Sequence, residues 1–124
     1  MAKILLVEDN ELSQKMMFYT LRHAGIEADV ASDGQEAVDM VISNAYELIL
    51  MDIQLPVFDG YEATRQIRHH EFAEGKHSFI IGLTSNVYDQ EREKCIAAGM
   101  DEYMTKPFDI VLFKDLAASH GFQF

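Results

Sequence analysis

The stretch that indicates the fold is Leu48-Ile49-Leu50-Met51-Asp52, in which four apolar residues run into a carboxylate. It has no alternation of apolar and polar positions, so both faces of the predicted strand should be covered, as in the centre of a parallel sheet. Other apolar runs occur along the chain, and helical patterns separate them. The alternation predicts a flavodoxin-like, doubly wound α/β fold of five βα units, with the parallel strands in the order 2-1-3-4-5.

The remaining elements are predicted from the same patterns. Strands are expected at 4–7, 26–30, 79–83 and 103–104, and helices at 11–24, 37–42, 61–72, 89–98 and 110–118. In the first helix, Leu12, Met16, Leu21 and Ala24 recur at roughly helical spacing, which predicts a core-facing stripe. Met16, Met40 and Met104 are all expected to pack in the core.

Composition limits the classes of function. The 124 residues, of which 48% are hydrophobic and two are proline, predict a single globular domain at 1–124 without an output domain. The formal net charge of −11 argues against nucleic-acid binding, which needs clustered Lys and Arg. No apolar stretch approaches the roughly 20 residues of a membrane span. The single cysteine, Cys95, predicts a reducing, cytoplasmic setting and a buried place on a helix.

Reactive polar residues follow four of the predicted strands. They are Glu8-Asp9, Asp52, Thr84-Ser85 and Lys106-Pro107. In an open α/β sheet, ligands bind outside the carboxyl ends of the strands, so these residues stand where a site is expected. Three carboxylates in one crevice repel one another unless a cation compensates their charge.

The chemistry of these groups favours Mg²⁺ and phosphate. Oxygen ligands suit Mg²⁺, which keeps several waters and is commonly completed by a phosphate. Phosphoryl transfer then needs a nucleophile, and a carboxylate can form an aspartyl phosphate. Asp52 is the best candidate because it ends the central strand alone, whereas Glu8 and Asp9 form the adjacent pair that would hold the metal.

These residues belong to five motifs that occur in order along the chain. The motifs are Val7-Glu8-Asp9-Asn10, Met51-Asp52-Ile53-Gln54-Leu55-Pro56, Asp59-Gly60, Leu83-Thr84-Ser85-Asn86 and Lys106-Pro107. Together they resemble the receiver domain of two-component response regulators, over about residues 2–119. The sequence looks most like receivers of hybrid histidine kinases and phosphorelays. It departs mildly from the pattern, with Glu8 in place of the commoner Asp and Ser85 in place of the commoner Ala.

The resemblance implies a role for each matching position. Asp52 would accept phosphate from a phosphohistidine of a histidine kinase or a histidine phosphotransfer protein. Mg²⁺ would be ligated by Asp9, Asp52 and the backbone carbonyl of Gln54, with Glu8 acting mainly through a water. Thr84 and Lys106 would bind phosphoryl oxygens, Tyr103 would turn inward when Thr84 moves, and the bond before Pro107 would be cis.

The resemblance also implies surfaces for partners. Leu12 and Met16, with Pro107 and Phe108, would meet the phosphodonor. A face made by the fourth helix, the fifth strand and the fifth helix would change shape and meet a downstream protein or a second copy. The domain would catalyse only its own phosphorylation and dephosphorylation.

Other readings of the residues stay open. A phosphatase of the haloacid-dehalogenase type would need a second acid in Asp52-Ile53-Gln54, and a flavodoxin-like FMN binder would suffer repulsion from Glu8 and Asp9. A receiver fold used only for docking is a third alternative. Asp9-Asn10 and Asp59-Gly60 could also serve simply as helix caps and turns.

Overall fold

The computed structural model describes residues 3–85 and 89–124, apart from the side chain of Asp89. The strands are β1 (Ile4–Val7), β2 (Ala28–Ala31), β3 (Leu48–Asp52), β4 (Phe79–Thr84) and β5 (Glu102–Thr105). The helices are α1 (Glu11–His23), α2 (Gly34–Ser43), α3 (Gly60–Glu74), α4 (Asp89–Ala98) and α5 (Ile110–Ser119). Asn86, in the fourth motif, lies outside the described residues.

The five strands form one parallel sheet in the order β2-β1-β3-β4-β5, which confirms the predicted topology. The central strand, β3, is buried along its whole length, as its unbroken apolar run predicts. Two apolar layers enclose the sheet. Ile49 and Met51 belong to one layer, and Leu48 and Leu50 belong to the other.

Short polar side chains set the starts of several helices. Asn10, Asp33 and Asp59 are the N-caps of α1, α2 and α3, and each side chain accepts a hydrogen bond from a backbone N–H three residues later. After α3, Gly75 has a φ of 68°, a left-handed conformation that glycine adopts without steric cost. Among the described residues, no helix has the length and apolar character needed to cross a membrane.

The predicted stripe on α1 is wrong at two positions. Leu12 is 70% exposed and Met16 is 61% exposed, whereas Met17 and Leu21 are buried. The four-residue step from Met17 to Leu21 places both on the face toward the sheet, and the 100° turn per residue carries Met16 away from it. Met104 is buried as predicted.

Several element bounds also differ from the sequence prediction. β2 begins at Ala28 rather than at residue 26, because the backbone N–H of Ile26 instead donates to the carbonyl of Leu21 and completes the end of α1 (2.9 Å). α3 continues to Glu74, two residues beyond its predicted end. α4 spans Asp89–Ala98, as predicted.

Candidate functional site

The strand register places Glu8 beside Asp52. Val7, at the end of β1, lies opposite Met51 of β3, so the next residue on each chain segment is a carboxylate. Both side chains are buried, with Glu8 1% exposed and Asp52 3% exposed. Two carboxylates this deep would be strongly unfavourable without compensation, because burial and like charge both disfavour ionisation.

Lys106 supplies that compensation. Thr105, the last residue of β5, pairs with Thr84 of β4, and the backbone N–H of Lys106 donates to the carbonyl of Thr84 (2.7 Å). This hydrogen bond places Lys106 just beyond the sheet edge. Its Nζ donates to Oδ2 of Asp52 at 3.0 Å and to Oε2 of Glu8 at 3.1 Å. One ammonium thus bridges both buried carboxylates.

The two carboxylates and the ammonium perturb one another. Burial, followed by the hydrogen bond and the repulsion from Asp52, raises the pKa of Glu8 to about 7, although Lys106 opposes the shift. Burial by itself would lower the pKa of Lys106, but the hydrogen bonds and the attraction of Asp52 and Glu8 outweigh it, so this pKa is raised. Lys106 therefore stays charged, while Glu8 titrates near neutral pH.

The site has the donor set for a hard divalent cation. Glu8, Asp9 and Asp52 each present a carboxylate oxygen, and these oxygens lie within 4.8 Å of one another. Lys106 offsets one of the three negative charges. An oxygen-only donor set with a formal excess of two negative charges fits Mg²⁺, which prefers carboxylate oxygens and water.

The backbone after β3 fixes the orientation of Asp52. The backbone N–H of Gln54 donates to Oδ1 of Asp52 at 3.2 Å, and Gly60 N–H donates to the carbonyl of Ile53 at 2.8 Å. A Cβ at Gly60 would lie 2.2 Å from the carbonyl oxygen of Asp52. In the Asp59-Gly60 motif, Asp59 therefore caps α3, and Gly60 allows the backbone to pass close to Asp52. Asp59 does not belong to the carboxylate cluster of Glu8, Asp9 and Asp52.

A small cavity lies next to Asp52, and Thr84, one of the two phosphate-binding candidates, lines it. A volume of about 40 Å³ is lined by Asp52, Gln54 and Thr84, and Thr84 itself is 3% exposed. That volume holds about one water molecule. Glu91 of α4 lines the same cavity, and the hydroxyl of Tyr61 donates to its carboxylate.

Sequence reasoning missed Glu91. The signal that could have found it is its position four residues before buried Cys95, which places both on the inward face of α4. It also missed Gln14, whose side chain amide donates to the carbonyl of Glu8 at 2.8 Å and ties α1 to the site.

The other predicted site residues have defined places. Tyr103 is half-buried, lies opposite Gly82 on β4 and packs against one of the two apolar layers. The peptide bond between Lys106 and Pro107 is cis, as the resemblance implies. The side chain of Asn10 caps the start of α1, whereas the carboxylate of Asp9 belongs to the cluster with Glu8 and Asp52. Of these two neighbouring residues, Asn10 therefore serves as the helix cap and Asp9 is a candidate metal ligand.

A concave, largely apolar surface adjoins the site. It encloses about 390 Å³ and is lined by residues of α1 and of the segment after β5, among them Met16, Lys106, Pro107 and Phe108. The side chains of Leu12 and Met16 are exposed on the same helix. Large apolar side chains that remain exposed beside a polar site are typical of surfaces that bind another protein.

Residues 4–117 match the response regulator receiver domain family. The chain belongs to this family. It is 41% identical over 114 residues to hybrid signal transduction histidine kinase B of Dictyostelium discoideum, covering 85% of the chain but only 6% of the kinase. The chain thus corresponds to a small part of that relative's length. Family membership confirms the resemblance and leaves the phosphatase and flavin-binding alternatives without support.

Two solved structures show the same fold. The receiver domain of sensor histidine kinase PA1611 from Pseudomonas aeruginosa PAO1, with a magnesium ion coordinated in its active site cleft, is 41% identical with a TM-score of 0.85, covering 95% of each chain. The receiver domain of the Saccharomyces cerevisiae response regulator Ssk1, in complex with the histidine phosphotransfer protein Ypd1, is 34% identical with a TM-score of 0.85, covering 94% of this chain and 86% of that one.

Proposed function

We propose that this chain is a phosphorylation switch, in which Asp52 accepts a phosphoryl group from a phosphohistidine on a histidine kinase or a histidine phosphotransfer protein. The observation that supports this most strongly is the buried Asp52 carboxylate, bonded to Lys106 at 3.0 Å beside the three-carboxylate cluster. The domain acts on no substrate other than its own Asp52. Because Cys95 is the single cysteine, a reducing cytoplasmic setting is part of the proposal.

The transfer needs little covalent chemistry from the protein. A carboxylate oxygen of Asp52 forms a bond to phosphorus while the bond between phosphorus and the donor imidazole nitrogen breaks, so the donor leaves as unmodified histidine. Glu8, Asp9 and Asp52, with the backbone carbonyl of Gln54, would hold Mg²⁺, which neutralises charge on the phosphoryl oxygens. The magnesium-bound receiver of PA1611 supports this assignment.

Lys106 and Thr84 complete the proposed phosphate site. Lys106 reaches Asp52 across a hydrogen-bond distance already, so it is placed to bond a phosphoryl oxygen as soon as the group arrives. Thr84 lines the 40 Å³ cavity next to Asp52, and its hydroxyl would bind a second phosphoryl oxygen. Charged and hydroxyl donors set in place before the reaction stabilise the transferring group at low reorganisation cost.

The donor protein is proposed to dock on the surface formed by α1 and the segment after β5. Leu12 and Met16 are exposed there, and the adjoining cavity reaches Lys106 and Pro107. A helical partner could cover these apolar side chains and bring its histidine to Asp52. The solved complex of Ypd1 with the Ssk1 receiver supports a phosphotransfer protein as the kind of partner.

The output surface is proposed on α4, β5 and α5. Ile96, Val111 and Leu112 are exposed apolar residues on these two helices. Tyr103 of β5 is half-buried between this face and the apolar layer, so an inward rotation would alter the surface when Thr84 moves toward a phosphoryl oxygen. A downstream protein or a second copy of the chain would bind the altered surface.

The test is modification of Asp52 by a small phosphodonor. Acetyl phosphate with Mg²⁺ should add one phosphoryl group to the parent protein, seen by intact-mass spectrometry, and Asp52→Asn should stay unmodified. Asp59→Asn is the matched control, because Asp59 is exposed and asparagine is an equally good N-cap, so it should be labelled like the parent. Equal labelling of Asp52→Asn would refute the assignment. A parent protein that neither takes the label nor binds beryllofluoride with Mg²⁺ would instead be a docking module.

A further inference from the structure

Glu91 places a further acidic residue close to Asp52. It lines the cavity of about 40 Å³ together with Asp52 and Thr84. Because a cavity of this volume holds about one water molecule, the residues around it are close neighbours. In the described part of the chain, the carboxylates that converge on a candidate cation site are Glu8, Asp9 and Asp52, and Glu91 is not among them. Glu91 therefore has no part in the proposed metal site.

A hydrogen bond from α3 holds the side chain of Glu91. The hydroxyl of Tyr61 donates to the Glu91 carboxylate. Tyr61 itself is fixed in two ways. Its ring packs against one of the two apolar layers, and the residue before it, Gly60, donates its backbone N–H to the carbonyl of Ile53 at 2.8 Å. The start of α3 therefore provides a fixed attachment point for Glu91.

The helix that carries Glu91 has a small buried face. Of residues 90–98 in α4, Cys95 and Ala98 are the two that are buried, and both have small side chains. Little apolar area therefore holds α4 against the rest of the domain, so a displacement of this helix costs little free energy. Glu91 lies in the first turn of α4, so the hydrogen bond from Tyr61 attaches this end of the helix to α3.

Phosphorylation would change the charge next to Glu91. The three clustered carboxylates carry three formal negative charges, which Lys106 and a divalent cation together balance. A fully ionised phosphoryl group on Asp52 replaces one negative charge by two, so the site then has one negative charge in excess. The group also adds three oxygens beside a cavity that has room for about one water molecule. Charge and volume both act to displace Glu91.

We propose that the hydrogen bond between Tyr61 and Glu91 is a latch, which holds α4 against α3 in the unmodified protein and which phosphorylation of Asp52 opens. The latch rests on the proposed function, since the phosphoryl charge is what opens it. Repulsion moves the carboxylate of Glu91 away from the Tyr61 hydroxyl, and the first turn of α4 moves with it. The charge at Asp52 thus acts directly on a helix of the proposed output surface.

Binding of beryllofluoride at saturating Mg²⁺ tests the part that charge plays. Glu91→Gln removes the charge and keeps an acceptor for Tyr61, so it should bind beryllofluoride about threefold or more tightly than the parent, as measured by calorimetry. Its affinity for Mg²⁺ alone should stay the same or fall, because the loss of a carboxylate does not favour a cation. Glu93→Gln makes the same change of charge at an exposed position of α4 and should bind both ligands like the parent. Equal affinities of Glu91→Gln and Glu93→Gln for beryllofluoride would overturn the proposal.

Hydrogen exchange measures the opening of the latch. Tyr61→Phe removes the hydroxyl and keeps the ring against the apolar layer. Without ligand, the backbone amides of residues 93–98 should exchange about fivefold faster in Tyr61→Phe than in the parent. With Mg²⁺ and beryllofluoride bound, the two proteins should exchange at the same rate, because the latch is then open in both. A parent protein whose α4 amides exchange no faster when beryllofluoride binds would refute the latch.

The same measurements separate the latch from the phosphorylation on which it depends. A parent protein that does not bind beryllofluoride refutes both proposals. If the parent binds it and Asp52→Asn does not, the acceptor role of Asp52 stands. In that case, a Glu91→Gln variant that binds beryllofluoride no more tightly than the parent refutes the latch alone.

Discussion

Substitution of Arg68 by methionine should be among the most destabilising changes in this domain. The guanidinium donates to Glu71 at 2.8 Å, to Asp101 at 2.7 Å and to the carbonyls of Ser78 and Gly99 at 2.7 and 2.8 Å. The side chain of Arg68 is 16% exposed and that of Glu71 is 6% exposed. Removing one member of such a buried pair leaves the other charge uncompensated, which costs about 3–5 kcal/mol.

Denaturant unfolding and thermal melts would measure this loss. For a domain of this size, the expected change corresponds to a fall of roughly 10–20 °C in the thermal midpoint. Arg65→Met is the matched control, because its ion pair with Glu62 is 54% and 42% exposed and should contribute less than about 1 kcal/mol. Both substitutions keep helix propensity nearly constant.

The double variant Arg68→Met with Glu71→Gln should recover part of the loss, since it removes the buried charge and keeps an acceptor for Ser78 N–H. If the unfolding free energies of Arg68→Met and Arg65→Met agree, the burial argument is wrong.

Three further outcomes follow from the site and the core. Lys106→Met removes the cation shared by Asp52 and Glu8, so Mg²⁺ should bind about tenfold more tightly, as measured by calorimetry. Labelling by acetyl phosphate should slow roughly 10²-fold, and unchanged labelling would contradict the role of Lys106 in binding the phosphoryl group. Because the pKa of Glu8 is raised from 4.5 to about 7, the metal-free protein should lose stability as the pH rises from about 4.5 to 7. Below pH 7, Mg²⁺ binding should release protons from Glu8, and the Glu8→Gln variant should not release them. Burial, followed by the charge of Glu91, raises the pKa of the Cys95 thiol to about 11. An aromatic disulfide reagent should therefore modify the thiol slowly at pH 7 in the folded protein and rapidly in urea. Equal rates would show that the thiol is accessible in the folded protein.

Much of the site follows from the sequence because parallel strands share one carboxyl edge. The apolar run that ends at Asp52, the pair Glu8-Asp9 and the residues that close β4 and β5 all lie at that edge, so a linear pattern maps directly onto a cluster. The strand order was equally predictable, since right-handed crossovers leave few arrangements for five βα units.

Helix faces were less predictable, because a periodic pattern specifies spacing and leaves the orientation of the helix about its axis open. Leu12 and Met16 have helical spacing but face solvent, and Met17 takes the buried position that Met16 was expected to occupy. The same uncertainty concealed Glu91, which lines the cavity beside Asp52 although its helix is distant in sequence.

The amino-acid sequence thus established the fold class, the strand order and the chemistry of the strand ends, because these depend on local patterns and on a register common to all parallel strands. Packing in three dimensions established which groups actually meet. The bridge from Lys106 to Glu8 and Asp52 and the network around Arg68 each join segments far apart in the chain. Their distances and burial depend on how helices settle against the sheet, and that balance of many weak contacts has no signature in any single stretch of sequence.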